Sequence, residues 1–134
     1  MERVIVDTSA IYALLDRSDN YHQQAVAALK ELSTKKVSVV VTNFIVAECY
    51  TLLASRLSPE IARSWLKGLC WPVERVTEDD EKRAREILFT YPDKSFSYTD
   101  ATTFAVMERL EITCAFTFDQ HFTQFGLAPY KTQA

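Results

Sequence analysis

Residues 37–57 read VSVVVTNFIVAECYTLLASRL, and this stretch gives the clearest indication of the fold class. Its first part, residues 37–42, is mostly β-branched and apolar at consecutive positions, which predicts a strand buried on both faces. The remainder, residues 43–57, is long, apolar and free of glycine and proline, which predicts a helix. Because a strand buried on both faces needs helices to cover it, this step indicates an α/β protein with a parallel sheet.

The same alternation of strand and helix continues along the rest of the chain. Further strands are predicted at residues 4–6, 71–76 and 112–118, with an edge strand near Pro129. Helices are predicted at residues 9–15, 21–35 and 58–68, from 77 to just before 91, at 97–110 and directly after 119. No repeat, low-complexity segment or linker interrupts the pattern, so we expect one domain over residues 1–134, with a parallel sheet of about five strands flanked by helices.

Glycine and histidine are too scarce for several familiar active sites. The only glycines of the 134 residues, Gly68 and Gly126, lie far apart. A phosphate-binding loop, a dinucleotide fingerprint and a nucleophile elbow each need closely spaced glycines. His22 and His121 are also far apart, which excludes the HExxH zinc motif and any site with three histidines. An enzyme with this composition would use carboxylates.

Charge and cysteine content limit the partners and the compartment. The chain has 18 acids against 15 Lys and Arg, a net charge of −3, which argues against bulk electrostatic binding of nucleic acid but permits binding through a divalent cation. Cys49, Cys70 and Cys114 lie in apolar runs, which predicts buried thiols in a reducing cytosol. No apolar run is long enough for a membrane span and no signal-peptide core is evident, so we expect a cytoplasmic protein without membrane contact.

Four acids stand in apolar surroundings. Asp7 and Asp119 each follow a predicted strand directly and are the only charged residues of segments 4–15 and 112–122. Glu48 is the only acid of residues 37–57, and Asp100 opens a predicted helix. Each aspartate alone has a structural alternative, because Asp7 and Asp119 could be helix N-caps and Asp100 could belong to a capping box. Glu48 has no such role and needs a partner or a neutral state.

Taken together, the four acids predict a metal site. In a parallel α/β sheet, residues just past the carboxyl ends of the strands line one crevice, and helices that return antiparallel begin near the same edge. Carboxylates that converge there raise one another's pKa unless a cation intervenes. Sites built only from oxygen ligands suit Mg²⁺ or Mn²⁺.

The acidic segments also resemble the motifs of a known family. Residues 4–10 (VIVDTSA), 42–48 (TNFIVAE), 98–101 (YTDA) and 117–119 (TFD) are similar, in order and spacing, to the acidic motifs of PIN-domain ribonucleases. Residues 15–22 (LDRSDNYH) resemble the first inter-helix loop of VapC-type toxins. The resemblance implies a PIN-like α/β/α sandwich with a five-stranded parallel sheet, a Mg²⁺- or Mn²⁺-dependent endoribonuclease site, and often a homodimer.

The resemblance assigns roles to particular residues. We expect Asp7 and Asp100 to be direct metal ligands, and Glu48 and Asp119 to complete the site directly or through water. Ser9 is expected to orient a ligand carboxylate, with Thr99 and Thr117 as further candidates for that role. His121 is expected at the surface or in a helix cap. The reaction would be metal-assisted hydrolysis of an RNA phosphodiester bond.

Partners and alternative functions stay open. A VapC-type toxin would be blocked by a small antitoxin protein, for which the apolar side chains of Tyr50, Leu53, Trp65 and Leu69 are candidate anchors, although a place in the buried core is favoured for most of them. RNA would need a local basic rim, for which the candidates are Arg17, Lys35, Lys36, Arg75 and Lys94. The alternatives are a PIN-type nuclease of RNA processing or DNA flaps, and a catalytically silent scaffold that binds protein or RNA. A carboxylate-dependent phosphatase is disfavoured because residues 7–9 read DTS where such enzymes carry Asp-x-Asp.

Overall fold

A computed structural model describes residues 2–133 of the chain. In this part of the chain, parallel strands form one sheet in the order β3-β2-β1-β4-β5. The strands are β1 (Arg3–Val6), β2 (Ser38–Thr42), β3 (Val73–Glu74), β4 (Cys114–Phe116) and β5 (Ala128–Pro129). The predicted parallel sheet is confirmed, and Pro129 occupies an edge strand, where its missing N–H is tolerated.

Helices connect the strands and cover the sheet. They are α1 (Thr8–Leu15), α2 (His22–Thr34), α3 (Asn43–Arg56), α4 (Pro59–Gly68), α5 (Glu78–Thr90), α6 (Tyr98–Leu110) and α7 (Gln120–Phe125). Their starts follow ordinary capping chemistry: the Thr42 hydroxyl accepts a hydrogen bond from the Ile45 N–H at 3.0 Å, and that of Ser58 accepts one from the Ile61 N–H at 3.1 Å. The α/β/α architecture is therefore as predicted.

The strand order creates a crevice beside β1. The chain winds outward from β1 through β2 to β3, then crosses back and continues on the other side through β4 to β5. The point where the winding reverses lies between β1 and β4, where Val6 pairs with Phe116. Open α/β sheets bind ligands outside the carboxyl ends of the strands at such a switch point. The residues directly after these two strands are therefore placed to form a site.

Two strands are shorter than the sequence predicts. The outer strand β3 pairs only through Val73 and Glu74, and the Val76 N–H donates instead to the Asn43 side chain at 2.8 Å. Strand β4 ends at Phe116, because the Phe118 N–H donates to the Ser9 hydroxyl at 2.9 Å. At both positions a side-chain oxygen accepts the hydrogen bond of a backbone N–H that would pair with a neighbouring strand if the strand were longer.

A charge network fixes helix α6 to helix α5. Arg109 donates to both carboxylate oxygens of the buried Asp80, with Nη2 to Oδ2 at 2.9 Å, and Nη1 donates to Glu74 at 3.1 Å. Asp80 also closes a capping box with Thr77 at the start of α5. Hydrogen bonds from Arg109 and Thr77 outweigh the effect of burial and hold the pKa of Asp80 below its usual value. The network fixes the position of α6, the helix that carries Asp100.

The cysteine prediction is only partly right. Cys49 is buried in the core and Cys114 is half-buried, but Cys70 is exposed, because it follows the end of α4 in a loop. The expected burial of Cys70 is therefore wrong. Between residues 2 and 133, no helix has the length and apolar content needed to cross a membrane.

Candidate active site

All four acids singled out from the sequence line one cavity at the carboxyl edge of the sheet. The cavity has a volume of about 880 Å³, and its walls include Asp7, Glu48, Asp100 and Asp119, together with His121. Ser9 and the side chain of Thr99 stand in the same wall. The elements that meet here are the residues directly after β1 and β4, the first turns of α1, α6 and α7, and helix α3 from Phe44 to Ser55.

Asp7 is held at the centre of a hydroxyl network. It is the N-cap of α1, and its Oδ2 accepts hydrogen bonds from the Ser9 hydroxyl at 2.7 Å and the Thr117 hydroxyl at 2.9 Å. The Ser9 hydroxyl in turn accepts from the Phe118 N–H. Ser9 and Thr117 thus orient the carboxylate, as the sequence suggested. Thr99 makes different contacts, because its backbone carbonyl accepts hydrogen bonds from the Thr102 and Thr103 hydroxyls within α6.

The surroundings of Asp7 disfavour its charge. The residue is only 4% exposed, and burial raises its pKa to about 6 despite the hydrogen bonds from Ser9 and Thr117. The nearby carboxylates of Asp100 and Asp119 raise the pKa further. Asp7 in this position is either protonated or kept as a carboxylate by a nearby positive charge, such as a bound cation.

Asp100 combines a capping role with a place in the cavity. Its Oδ2 accepts from the Ser97 N–H at 3.0 Å, and its own N–H donates to the Ser97 hydroxyl, which completes the capping box of α6. His121 Nδ1 lies 2.8 Å from the same Oδ2. The structural and the functional interpretations of Asp100 are therefore compatible, since the box fixes the carboxylate where it faces the cavity.

Asp119 and His121 form one unit at the start of α7. Asp119 is the N-cap, its Oδ1 accepts from the His121 N–H at 2.9 Å, and His121 Nδ1 lies 3.3 Å from the same oxygen. Asp100, Asp119 and His121 each offer one ligand atom, and these atoms lie within 4.8 Å of one another, a spacing that could hold a metal ion. The sequence indicates a surface or capping role for His121 and carries no local signal of this placement, because the contact with Asp100 forms only in the folded chain.

The Glu48 carboxylate, on the apolar helix α3, has a hydrogen-bond partner on helix α1. Its Oε1 accepts a hydrogen bond from the Thr8 hydroxyl at 2.7 Å, across from α1 to α3. This contact orients the carboxylate toward the cavity that it lines with Asp7. The Thr8 hydroxyl therefore positions Glu48 as those of Ser9 and Thr117 position Asp7, a role for Thr8 that the sequence did not indicate.

The chemistry of these side chains fits a divalent cation. Of the described residues that line the cavity, none is lysine or arginine, so four carboxylates face one another with His121 as the basic side chain among them. Carboxylate oxygens are the ligands that Mg²⁺ and Mn²⁺ prefer, and Mn²⁺ also accepts imidazole. Asp7 is buried and receives hydrogen bonds only from neutral donors, and burial raises its pKa to about 6.

Other expectations need correction. Lys35 and Lys36 precede β2 and so lie at the amino edge of the sheet, opposite to the acids, which removes them from an RNA-binding rim. Leu53 is fully buried, which agrees with the core role favoured for most of the candidate anchors and excludes it as an anchor. Trp65 and Leu69, by contrast, line a separate apolar cavity of about 490 Å³ with residues of α1 and α2.

Comparison with known proteins identifies related chains. A PIN domain family model matches residues 4–127. The chain is 34% identical to the 23S rRNA-specific endonuclease VapC20 of Mycobacterium tuberculosis, in an alignment that covers 97% of this chain and 99% of the relative.

Solved structures agree with this relationship. The crystal structure of Mycobacterium tuberculosis VapC20, described as a sarcin–ricin loop cleaving toxin, superposes with a TM-score of 0.85 and 32% identity, covering 96% of this chain and 99% of the other. FitAcB from Neisseria gonorrhoeae superposes with a TM-score of 0.72 at 18% identity, covering 96% of each chain. The second likeness concerns the fold alone.

Proposed function

Since this chain belongs to the PIN domain family, we propose that it is a divalent-metal-dependent endoribonuclease and the toxin of a toxin–antitoxin pair. The observation that carries the proposal is the cavity at the switch point of the sheet, where Asp7, Glu48, Asp100 and Asp119 converge without a lysine or arginine among the described lining residues. Such a cavity repels an RNA phosphate by itself and attracts one when cations neutralise it. We propose that residues 1–134 act as one nuclease domain.

The proposed substrate is structured ribosomal RNA. VapC20, a relative similar over nearly the full length of both chains, is an endonuclease specific for 23S rRNA, and its solved structure is that of a toxin that cleaves the sarcin–ricin loop. Both similarities exceed 30% identity. We therefore take a sarcin–ricin loop hairpin as the first RNA to test. Action on ribosomes would place the protein in the cytoplasm.

The residues of the cavity have different proposed roles in phosphodiester hydrolysis. Asp7, Asp100 and Asp119 would hold Mg²⁺ or Mn²⁺, with Glu48 completing the site directly or through water. When bound, the ion supplies positive charge to the reacting phosphate and makes water a better nucleophile at neutral pH. Ser9 and Thr117 fix the Asp7 carboxylate, and Thr8 fixes that of Glu48, so the acids are oriented before substrate arrives.

An antitoxin would bind the apolar cavity between α1, α2 and α4. Leu14, Leu15, Trp65, Leu69 and Trp71 line it, and Leu15 is 38% exposed. An apolar groove between helices fits the apolar face of a helix, and an inhibitor that binds there could extend to the active site. If this assignment is right, Leu69→Glu weakens binding of the antitoxin encoded beside this gene and leaves RNA cleavage unchanged.

A second copy of the chain would cover the exposed face of α3. Ala47, Thr51 and Ser55 are exposed there and line the far end of the acidic cavity. Small side chains at this spacing allow another helix to approach closely. Sedimentation of the wild type as a dimer and of Thr51→Arg as a monomer would support this assembly.

RNA cleavage with defined metals tests the proposed function. The wild type is expected to cut the hairpin with Mg²⁺ or Mn²⁺ and to be inactive in excess EDTA, and Asp100→Asn is expected to be inactive with either ion. The exposed carboxylate of Asp93 provides the matched control, Asp93→Asn, which keeps activity. Cleavage in EDTA would contradict the mechanism. Metal-dependent cleavage with no antitoxin partner would favour a nuclease of RNA processing, and binding without cleavage would favour a silent scaffold.

A further inference from the structure

An exposed aromatic ring lies beside the acidic cavity. Tyr21, in the loop before α2, stacks on Phe118 with ring centroids 4.6 Å apart and planes 11° from parallel. Phe118 immediately precedes Asp119, which lines the acidic cavity, and its N–H donates to the Ser9 hydroxyl that contacts Asp7. Tyr21 is nevertheless 46% exposed, so the residue stays accessible to a ligand while Phe118 covers one face of its ring.

The loop that carries Tyr21 is held in place by its own hydrogen bonds. The Tyr21 N–H donates to Asp19 at 3.0 Å, the Ser18 N–H donates to Asp16 at 2.9 Å, and His22 Nδ1 lies 2.8 Å from the Ala13 carbonyl oxygen. The ring is therefore fixed before any ligand arrives, and little side-chain entropy is lost when something stacks on it.

RNA needs a source of affinity that the acidic cavity does not supply. The chain has a net charge of −3, and the described lining of the cavity holds no lysine or arginine. Stacking on an aromatic ring binds RNA without depending on net charge and is tolerant of base identity. A further cavity, of about 380 Å³, is lined by Phe118 together with the polar residues Gln24 and Lys131.

We propose that Tyr21, supported from behind by Phe118, stacks on an unpaired base of the RNA next to the phosphate that is cut. This inference rests on the proposed function, because it takes an RNA loop as the substrate. It makes Tyr21 a substrate-positioning residue: it contacts the base and not the reacting atoms. A ring in this place selects single-stranded loops, whose bases are free to leave their stack, over duplex RNA.

Steady-state cleavage of the sarcin–ricin hairpin tests the stack. Tyr21→Ala is expected to raise KM about 10-fold, the effect of losing one stacked base, with kcat within about 2-fold of the wild type. Tyr21→Phe keeps the ring and is expected to restore KM. Tyr21→Leu keeps apolar packing on Phe118 without an aromatic face, so its KM is expected to be close to that of Tyr21→Ala. Phe89→Ala, which removes an 81% exposed ring from α5, is the control and leaves KM unchanged.

A binding measurement locates the base. In the cleavage-deficient Asp100→Asn background, the hairpin carries 2-aminopurine at one loop position at a time, and its fluorescence is expected to fall on binding at one position only when residue 21 is aromatic. A wild-type KM in Tyr21→Ala, or equal quenching with Tyr21→Leu, would overturn the stack and leave the nuclease proposal intact. Failure of the wild type to cut any RNA would instead overturn the proposed function, and the stack with it.

Discussion

Asp7 and Asp80 are both almost fully buried, at 4% and 3% exposure, yet their surroundings act on them in opposite directions. Asp80 receives hydrogen bonds from Arg109, and its pKa lies below the usual value. Asp7 receives only neutral hydroxyl and amide donors and faces Asp100 and Asp119, and its pKa rises to about 6.

The difference lies in whether the protein itself supplies the opposite charge. A buried charge is stable when a fixed opposite charge is packed against it, and Arg109 is that charge for Asp80. The described lining of the acidic cavity holds no lysine or arginine for this purpose, so Asp7 is either protonated or paired with a positive charge from outside the protein. We propose that a divalent cation supplies that charge.

The largest contrast is expected in catalysis. Asp7→Asn removes a proposed metal ligand, so RNA cleavage should fall at least ~100-fold while the protein stays folded. Asp80→Asn should leave the cleavage rate of the folded protein near that of the wild type at low temperature. Initial rates on the hairpin at 15 °C, with folding checked by circular dichroism, measure both. Equal losses of activity in the two variants would erase the distinction between the sites.

The pH dependence of stability should show the cost of burying Asp7. Its folded pKa, about 6, lies above the unfolded value of 3.8, so its contribution to stability is fully present below pH 3.8 and is lost as pH rises through about 6. Without metal, the free energy of unfolding of Asp7→Asn should therefore rise relative to that of the wild type as pH increases, by up to ~3 kcal/mol at pH 7.5. Urea unfolding in EDTA at pH 4.5 and 7.5 measures this difference. A wild type that becomes more stable than the variant as pH increases would contradict the expected sign.

Breaking the Asp80 network should act with the opposite sign. Arg109→Met keeps much of the apolar stem but leaves Asp80 without its cation, and should lower the free energy of unfolding at pH 7 by ~2 kcal/mol, a discounted value because the Arg109 side chain is 35% exposed. Because the pKa of Asp80 is lowered, the stabilisation is present above the unfolded pKa and disappears as pH falls. Urea unfolding at pH 7 and pH 3 tests this, with Asp79→Asn, an exposed acid of the same turn, as the control. An undiminished loss at pH 3 would argue against the ion pair.

The smallest effect is expected from the hydroxyl that orients Asp7. Ser9→Ala removes a hydrogen bond that lowers the pKa of Asp7 and also frees the Phe118 N–H, so Mn²⁺ affinity should fall ~10-fold, the low end for loss of a group that orients a ligand. Calorimetric titration with Mn²⁺ gives the affinity. Ser64→Ala, at an exposed position of α4, should bind like the wild type. If Ser9→Ala also binds like the wild type, preorganisation of Asp7 by Ser9 is not important.

Local patterns predicted most of the fold. The β-branched run before Asp7, the apolar run at residues 37–42 and the Ser58-Pro59 helix start each depend on neighbouring residues, and all three formed as expected. The strand order could not be obtained in this way, since it depends on contacts between β1 and β4 that are over 100 residues apart. The early end of β4 has the same origin, because Ser9 captures the Phe118 N–H.

The acids were visible in the sequence because charge is rare in apolar segments. Asp7, Glu48, Asp100 and Asp119 stand out for that reason, and the structure places all four around one cavity. Their assignment as metal ligands remains a prediction. His121 did not stand out, because a histidine near a helix start is unremarkable until Asp100, 21 residues earlier, is brought within 2.8 Å of it.

Calorimetric titration of the metal-free protein with Mn²⁺ measures whether Asp7 contributes to cation binding. At pH 6, near the pKa of Asp7, we expect binding to the wild type to be accompanied by proton release, seen as a dependence of the heat on the buffer. Asp7→Asn should bind at least ~10-fold more weakly and without that release, whereas Asp79→Asn should behave like the wild type. Equal Mn²⁺ affinity in the wild type and Asp7→Asn would show that Asp7 is not a ligand.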